Sequence, residues 1–151
     1  MKQLLSLLAL LFLLLAKLTA QPPHAEIAKK QYYTQPAGST DVEFDGIPDE
    51  AAWDKVDWGG DFIQYQPTEG VAPHQSSMFK ILYDDKFLLI AYRAFDTAPD
   101  SIVQRMSRRD EFPGDWMEIN IDSYHDLRTA FSFTVSVSGV KGDEVVSDNG
   151  N

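Results

Sequence analysis

The stretch that most constrains this chain is Ser77 to Asp96, SMFKILYDDKFLLIAYRAFD, its longest apolar and aromatic run outside the N-terminal leader. Two β-rich arms, Ser77 to Tyr83 and Phe87 to Phe95, flank the polar Asp84-Asp85-Lys86. Arms of that composition around so short a polar turn specify a β-hairpin. In the first arm Phe79, Ile81 and Tyr83 alternate with Met78, Lys80 and Leu82, the period of a strand whose two faces meet different surroundings. The second arm is apolar at nearly every position, which predicts a central strand covered on both faces. The hairpin therefore predicts a two-layer β domain, with the rest of the chain packed on it.

Two later segments alternate more cleanly. In Trp116 to Asp122, Met117, Ile119 and Ile121 share one face, opposite Trp116, Glu118, Asn120 and Asp122. In Phe131 to Ser138, Phe131, Phe133, Val135 and Val137 oppose Ser132, Thr134, Ser136 and Ser138. The apolar faces are expected to make core. If the two strands are neighbours across the loop Ser123 to Arg128, their polar faces form one surface carrying Trp116, Glu118, Asn120 and a row of small hydroxyls. That surface is the candidate site: an aromatic ring offers a stacking plane, and Glu118 and Asn120 exchange hydrogen bonds with ligand hydroxyls. Side chains at 116 and 118 lie about 7 Å apart along a strand, close enough to touch one small ligand ring together.

Between the leader and the hairpin the signals are local. Val42 and Phe44 alternate as a short strand, Asp45-Gly46 makes a turn, and Asp49 is placed to cap a short helix that carries Trp53 into the core. Phe62 to Tyr65 is expected as another short strand. Ser101 to Asp110 fits either a helical turn or an irregular excursion, and its Arg105, Arg108 and Arg109 are expected in solvent or paired with carboxylates. The chain runs out through a strand-like Glu144-Val145-Val146-Ser147 into a polar tail, so the sheet is expected to lack C-terminal strands and the domain to be incomplete.

The leader itself, residues 1–20, has Lys2, an apolar run from Leu4 to Ala16 and a small-residue exit at Leu18-Thr19-Ala20, the order of a secretory signal peptide. Cleavage there makes Gln21 the first mature residue, a position that N-terminal sequencing of the exported protein reads directly. Residues 21–40, broken by Pro22, Pro23, Pro36 and Gly38, are expected as a linker with a short edge strand at Gln31 to Thr34, and residues 41–151 as the β domain. The destination is the periplasm, the outer membrane or the medium. The absence of cysteine from all 151 residues excludes disulfides, thiolate metal sites and lipoprotein processing, and an exported chain without disulfides points to a bacterial envelope.

Charge narrows the partners. A formal net charge of -10 opposes binding to nucleic acid and to anionic membrane surfaces, so a neutral or cationic partner is expected. Catalytic patterns are missing: there is no G-x-S-x-G, and no catalytic residue is assigned. Glu118 and Asp122, four apart on one strand, lie about 13 Å from each other, beyond the roughly 5 to 9.5 Å that paired carboxylates need for glycoside hydrolysis.

Three motifs in order, FDGIPDEAAW, YDDKFLLIAYRAFD and GDWMEINID, resemble the carbohydrate-binding module family 9-like domain over roughly Val42 to Gly142. The resemblance implies an antiparallel β-sandwich, jelly-roll-like, of the kind found near the N-terminus of long secreted or outer-membrane bacterial proteins. It implies a noncatalytic domain that binds poly- or oligosaccharide and serves polysaccharide breakdown or uptake, any hydrolase activity lying in a region further along. The alternative it leaves open is a structural or interaction domain that tethers to, or continues into, an outer-membrane protein. By the same resemblance Glu118 contacts the sugar, Phe112 supplies the stacking aromatic and Thr134 stands near the position of a ligand-contacting arginine. Structural calcium is also implied for some members, and Asp45, Asp49, Asp84 and Asp96, at strand ends, are the residues that would supply its oxygen ligands.

Overall fold

The computed structural model describes residues 29–38 and 42–147. The expected signal peptide, most of the expected linker and the polar tail from residue 148 lie outside the described residues. Thr34–Asn151 forms one compact unit, so the end of the expected linker joins the domain. Nearly all its regular structure is strand, in two small sheets, and the chain is all-β. Among the described residues no helix is long and apolar enough to cross a membrane.

The hairpin forms as its composition predicts. Strand β2, Ser77–Tyr83, pairs antiparallel with β3, Leu88–Ala94, from Ser77 opposite Ala94 to Tyr83 opposite Leu88. Its turn is closed by Asp84, whose Oδ1 accepts from the N–H groups of Lys86 and Phe87 at 2.6 and 2.7 Å. Strand β1, Gln35–Pro36, lies parallel to the other edge of β2. A two-residue edge strand ending in proline suits an edge, because proline has no N–H to contribute to a ladder.

This order, β1-β2-β3, corrects three expectations. The apolar second arm is not central. It is the outer strand of its sheet, and Leu88, Tyr92 and Ala94 are exposed, because among the described residues no strand pairs with its second edge; the short N-terminal strand joins β2 instead and makes β2 the central strand. The edge strand itself lies at 35–36 instead of 31–34. Neither Val42 to Phe44 nor Phe62 to Tyr65 is a strand: Phe44 is 88% exposed, and Asp61, with a positive φ of 55°, turns the chain immediately before the second segment. What remains of pairing there is a single bridge between Gly59 and Phe79, where a Cβ on Gly59 would come within 2.5 Å of the Phe79 ring.

One face of this first sheet is covered by a 3-10 turn, Ala51–Lys55, which carries Ala52 and Trp53 into contact with it. Asp49 does not cap the turn. Glu50 occupies the capping position, and its Oε2 accepts from the Trp53 indole N–H at 3.0 Å, because a glutamate there reaches back across one turn of helix. Leu82 and Leu89 are buried beneath the turn, and so is Lys80, 8% exposed. Its Nζ donates to the Trp53 carbonyl at 2.6 Å and lies 5.1 Å from the centre of the Trp58 ring, whose other neighbour is Arg93. A buried ammonium is tolerable where a carbonyl and an aromatic face replace its water. Lys80→Ala leaves the carbonyl short of its donor and the stem unpacked, and is expected to cost about 2 kcal/mol, whereas Lys80→Met keeps the stem and should cost about 1 kcal/mol. Urea midpoints of the two variants measure the difference.

The second sheet has order β4-β5-β6: Trp116–Ile121, Ala130–Ser136 and Lys141–Val146, all antiparallel. Between the sheets, Pro99–Ser101 is a brief 3-10 turn and residues 102–115 are irregular, so the excursion is a loop and not a helix. Val103 and Asp115 close its base, their backbone groups joined at 3.0 Å and the Val103 N–H held by Asp115 Oδ2 at 2.9 Å.

The burial of β5 reverses the expectation. Ser132, Thr134 and Ser136 are buried at 1, 6 and 7% exposure, while Phe133, Val135 and Val137 stand between 41 and 48% exposed. Alternation fixes which side chains share a face, but cover decides which face is inside. Here the short hydroxyl side chains of the central strand sit between the longer side chains of its two neighbours, Trp116, Glu118, Asn120 and Glu144, and Phe112 of the excursion packs on the Gly142 row beside them.

Candidate functional site

The register of the second sheet builds the predicted surface row by row. Trp116 stands opposite Ser136, Glu118 opposite Thr134 and Asn120 opposite Ser132; on the far side Thr134 meets Gly142 and Ser132 meets Glu144. The side chains at 116, 118, 120, 132, 134, 136 and 144 therefore share one face. Trp116 is 51% exposed, and Glu118 and Asn120 are exposed beside it.

Phe112 joins them from the excursion. Its ring centre lies 6.2 Å from that of Trp116 at an interplanar angle of 48°, and it rests on Gly142 on the far strand. A Cβ at Gly142 would come within 2.5 Å of the Phe112 ring and 2.9 Å of Asp110 Oδ1, so only glycine lets the ring settle there. Gly142→Ala is expected to lift Phe112, move the Trp116 indole resonance and cost about 1 to 3 kcal/mol by overpacking. The indole N–H signal and the thermal midpoint report the two effects together.

Glu118 organises the polar part. Its Oε2 accepts from the Thr134 hydroxyl at 3.1 Å and its Oε1 from the Asn120 amide at 2.7 Å. A carboxylate has about four acceptor positions, so two remain for a ligand. The Ser136 hydroxyl accepts from Val140 N–H at 3.1 Å and is spent on the following turn. Ser132 Oγ is buried and has no hydrogen-bond partner among the described residues. At the rim Arg109 pairs with Asp110 and Asp143, as the acidic surroundings predict, and Asp110 Oδ1 accepts from Asp143 N–H at 3.2 Å.

All five residues expected for carbohydrate, Trp116, Glu118, Asn120, Phe112 and Thr134, therefore lie on or against one face. The sequence reading missed Gly142, Asp110 and Glu144. A glycine inside a strand pattern was the available signal for Gly142, since it marks a close approach. Nothing local pointed to Asp110 or Glu144, which arrive through the excursion and the third strand.

The aspartates expected to hold calcium are not brought together: among the described residues no group of three or more acidic or histidine side chains converges on one point. Each serves its own turn instead. Asp45 accepts from Ile47 N–H at 2.7 Å, Asp84 closes the hairpin turn, and Asp96 accepts from Ala98 N–H at 2.6 Å. Asp49 is exposed, its backbone N–H bonded to the Ile47 carbonyl at 2.9 Å.

The β4–β5 loop is held by the same device. Asp122 accepts from the N–H groups of Asp126 and Leu127, and Asp126 Oδ1 from those of Arg128 and Thr129, at 2.8 to 3.1 Å. The Arg128 N–H, followed by that of Thr129, holds the Asp126 carboxyl below its ordinary value. The stabilisation of this loop is therefore complete above the unfolded carboxyl value of about 3.9 and is lost as pH falls through the lower folded value. Amide spectra of Arg128 and Thr129 should hold steady down to that range and collapse below it.

No family model matches the chain, and neither a curated protein nor a solved structure does.

Proposed function

We propose that this chain is a noncatalytic carbohydrate-binding domain of an exported bacterial envelope protein, associated with polysaccharide breakdown or uptake. The observation that carries the reading is the half-exposed Trp116 ring beside the exposed Glu118 and Asn120 on one flat sheet face, with Phe112 against the same ring. A stacking plane next to a few polar groups is the usual composition of a sugar site. With the two aromatics in contact at one end, and none across from them, affinity should be weak, on the order of millimolar or about 4 kcal/mol.

The same reading takes the two sheets as halves of a β-sandwich of the jelly-roll kind. Supporting it, one cleft of about 390 Å³ is bordered by Tyr92 and Ala94 of the first sheet and by Met117 and Val135 from the apolar face of the second. The alternative, a structural or interaction domain at the head of a larger outer-membrane protein, draws support from the exposure of Phe133 at 48%, Val135 at 41% and Val145 at 62%. Apolar side chains lined up on one sheet face are what an attached region would cover.

Titration with mono- and oligosaccharides by NMR separates the two. Movement of the Trp116 indole and Glu118 amide resonances with any sugar is the expected result. If neither moves with any sugar while the apolar face binds an attached region, the structural reading stands alone.

A further inference from the structure

The hydroxyl face has an unusual balance of hydrogen-bonding groups. Asn120 spends one of its two amide N–H groups on Glu118 and Thr134 spends its hydroxyl proton there too, so acceptors outnumber donors among the groups left facing a ligand: the remaining Glu118 positions, the Asn120 carbonyl oxygen and Glu144, against the second Asn120 N–H and the Trp116 indole N–H. None of the positions facing this way, 116, 118, 120, 132, 134, 136, 142, 144 and 146, is a lysine or arginine. Between Asn120 and Glu144 across the strands stands Ser132, 1% exposed, with its Oγ lacking any partner among the described residues. An acceptor-rich, anionic face around an orphaned hydroxyl asks for a compact group with several donors and a positive charge.

We propose that the ligand of this face carries a protonated amine, so that the sugar it takes is an amino sugar instead of a neutral hexose, its ammonium seated over Ser132 between Glu118 and Glu144. This rests on the carbohydrate reading above. The spacing agrees: two strands and one same-face step separate Glu118 from Glu144, about 12 Å between backbones, and two extended carboxylates narrow that to roughly the width of a pyranose. An ammonium has three donors and no acceptor, which matches Ser132 Oγ and the two carboxylates one for one. Ser132 is the short side chain between two longer ones, so the cation reaches its hydroxyl by displacing them outward. The hydroxyl proton then turns to Glu144, and the orphaned group gains both a donor and an acceptor. The Trp116 row stands two same-face steps from the Ser132 row, about 13 Å along the strand with Glu118 between them, so Glu118 is the group that charge recognition over Ser132 shares with the aromatic end of the face.

The test is titration of the full chain, followed by NMR and calorimetry, with glucosamine, glucose, N-acetylglucosamine and ethanolamine. Glucosamine is expected to bind at least tenfold more tightly than glucose, and N-acetylation, which removes the charge, to erase that gain. Ser132→Ala and Glu144→Gln should each bring the glucosamine-to-glucose ratio toward one; Glu144 is exposed, so its variant tests the proposal even if Ser132→Ala fails to fold. Equal binding of glucosamine and glucose sinks the amino-sugar inference and leaves carbohydrate binding standing. Ethanolamine binding as tightly as glucosamine also overturns it, because the sugar then contributes nothing. If no sugar moves the Trp116 or Glu118 resonances, the carbohydrate reading fails and this inference with it.

Discussion

Trp53→Ala is expected to remove most of the domain's stability. Trp53 is 4% exposed and fastens the 3-10 turn to the first sheet in three ways: its ring fills the covered face, its indole N–H donates to Glu50, and its carbonyl receives the Lys80 ammonium. Truncating a buried tryptophan costs about 3 to 5 kcal/mol through lost contacts and the cavity left behind. Small domains have only about 5 to 15 kcal/mol in total. This one spends part of its apolar surface on exposed faces, which puts it at the low end of that range. The loss should therefore take most of what the fold has. Trp53→Phe keeps most of the ring volume but removes the indole donor, and should cost about 1 to 2 kcal/mol. Urea unfolding followed by circular dichroism measures both. A Trp53→Ala protein that unfolds within about 1 kcal/mol of the parent would show that the turn is not what closes this face.

Glu118→Ala is expected to abolish sugar binding while the domain stays folded. The carboxylate is exposed and contributes nothing to the core, so the folding cost is confined to the Thr134 hydroxyl that loses its acceptor, about 1 kcal/mol. The binding cost is larger because one substitution acts three times. It removes the two free acceptor positions, releases the Asn120 amide and releases Thr134, turning an ordered acceptor row into a loose one. From a parent affinity of about 4 kcal/mol, the loss of even one charge-assisted hydrogen bond of about 1.5 to 3 kcal/mol takes binding below detection. Glu118→Gln keeps the shape and one acceptor oxygen and should retain a weak response to neutral sugars. The measurement is the sugar-dependent shift of the Trp116 indole in each variant. Unchanged shifts in Glu118→Ala would remove this residue from the site.

Much of the architecture was legible from alternation and turn chemistry. The hairpin from Ser77, the two strands from Trp116 and Ala130, the burial of Trp53 and the common face of Trp116, Glu118, Asn120 and Thr134 all follow from a period of two, a short polar turn and a short helical turn, although the cap expected for that turn does not form. These are local rules: they act between residues close in sequence or paired across one short loop. Signals two or three residues long were less informative. Val42 and Phe44 alternate like a strand, but without a partner strand the alternation has no ladder to join.

Which faces were covered was beyond the reach of the same rules. By itself the sequence determined that the serines and threonine of β5 lie opposite its phenylalanines and valines, because successive side chains on a strand must point to opposite sides. Only the tertiary structure decided that the hydroxyls of β5 are buried while its phenylalanine and valines at 133, 135 and 137 are not. That outcome depends on which strands flank β5 with longer side chains and on Phe112 crossing from the excursion to Gly142, a contact across thirty positions of chain with no periodic signature. Likewise the apolar pattern of β3 specified a strand but not its place in the sheet: among the described residues the third strand, Gln35–Pro36, joined β2 and left the second edge of β3 without a partner. Periodicity is a property of the backbone and is written locally, whereas cover is a contest among distant segments for the same surface.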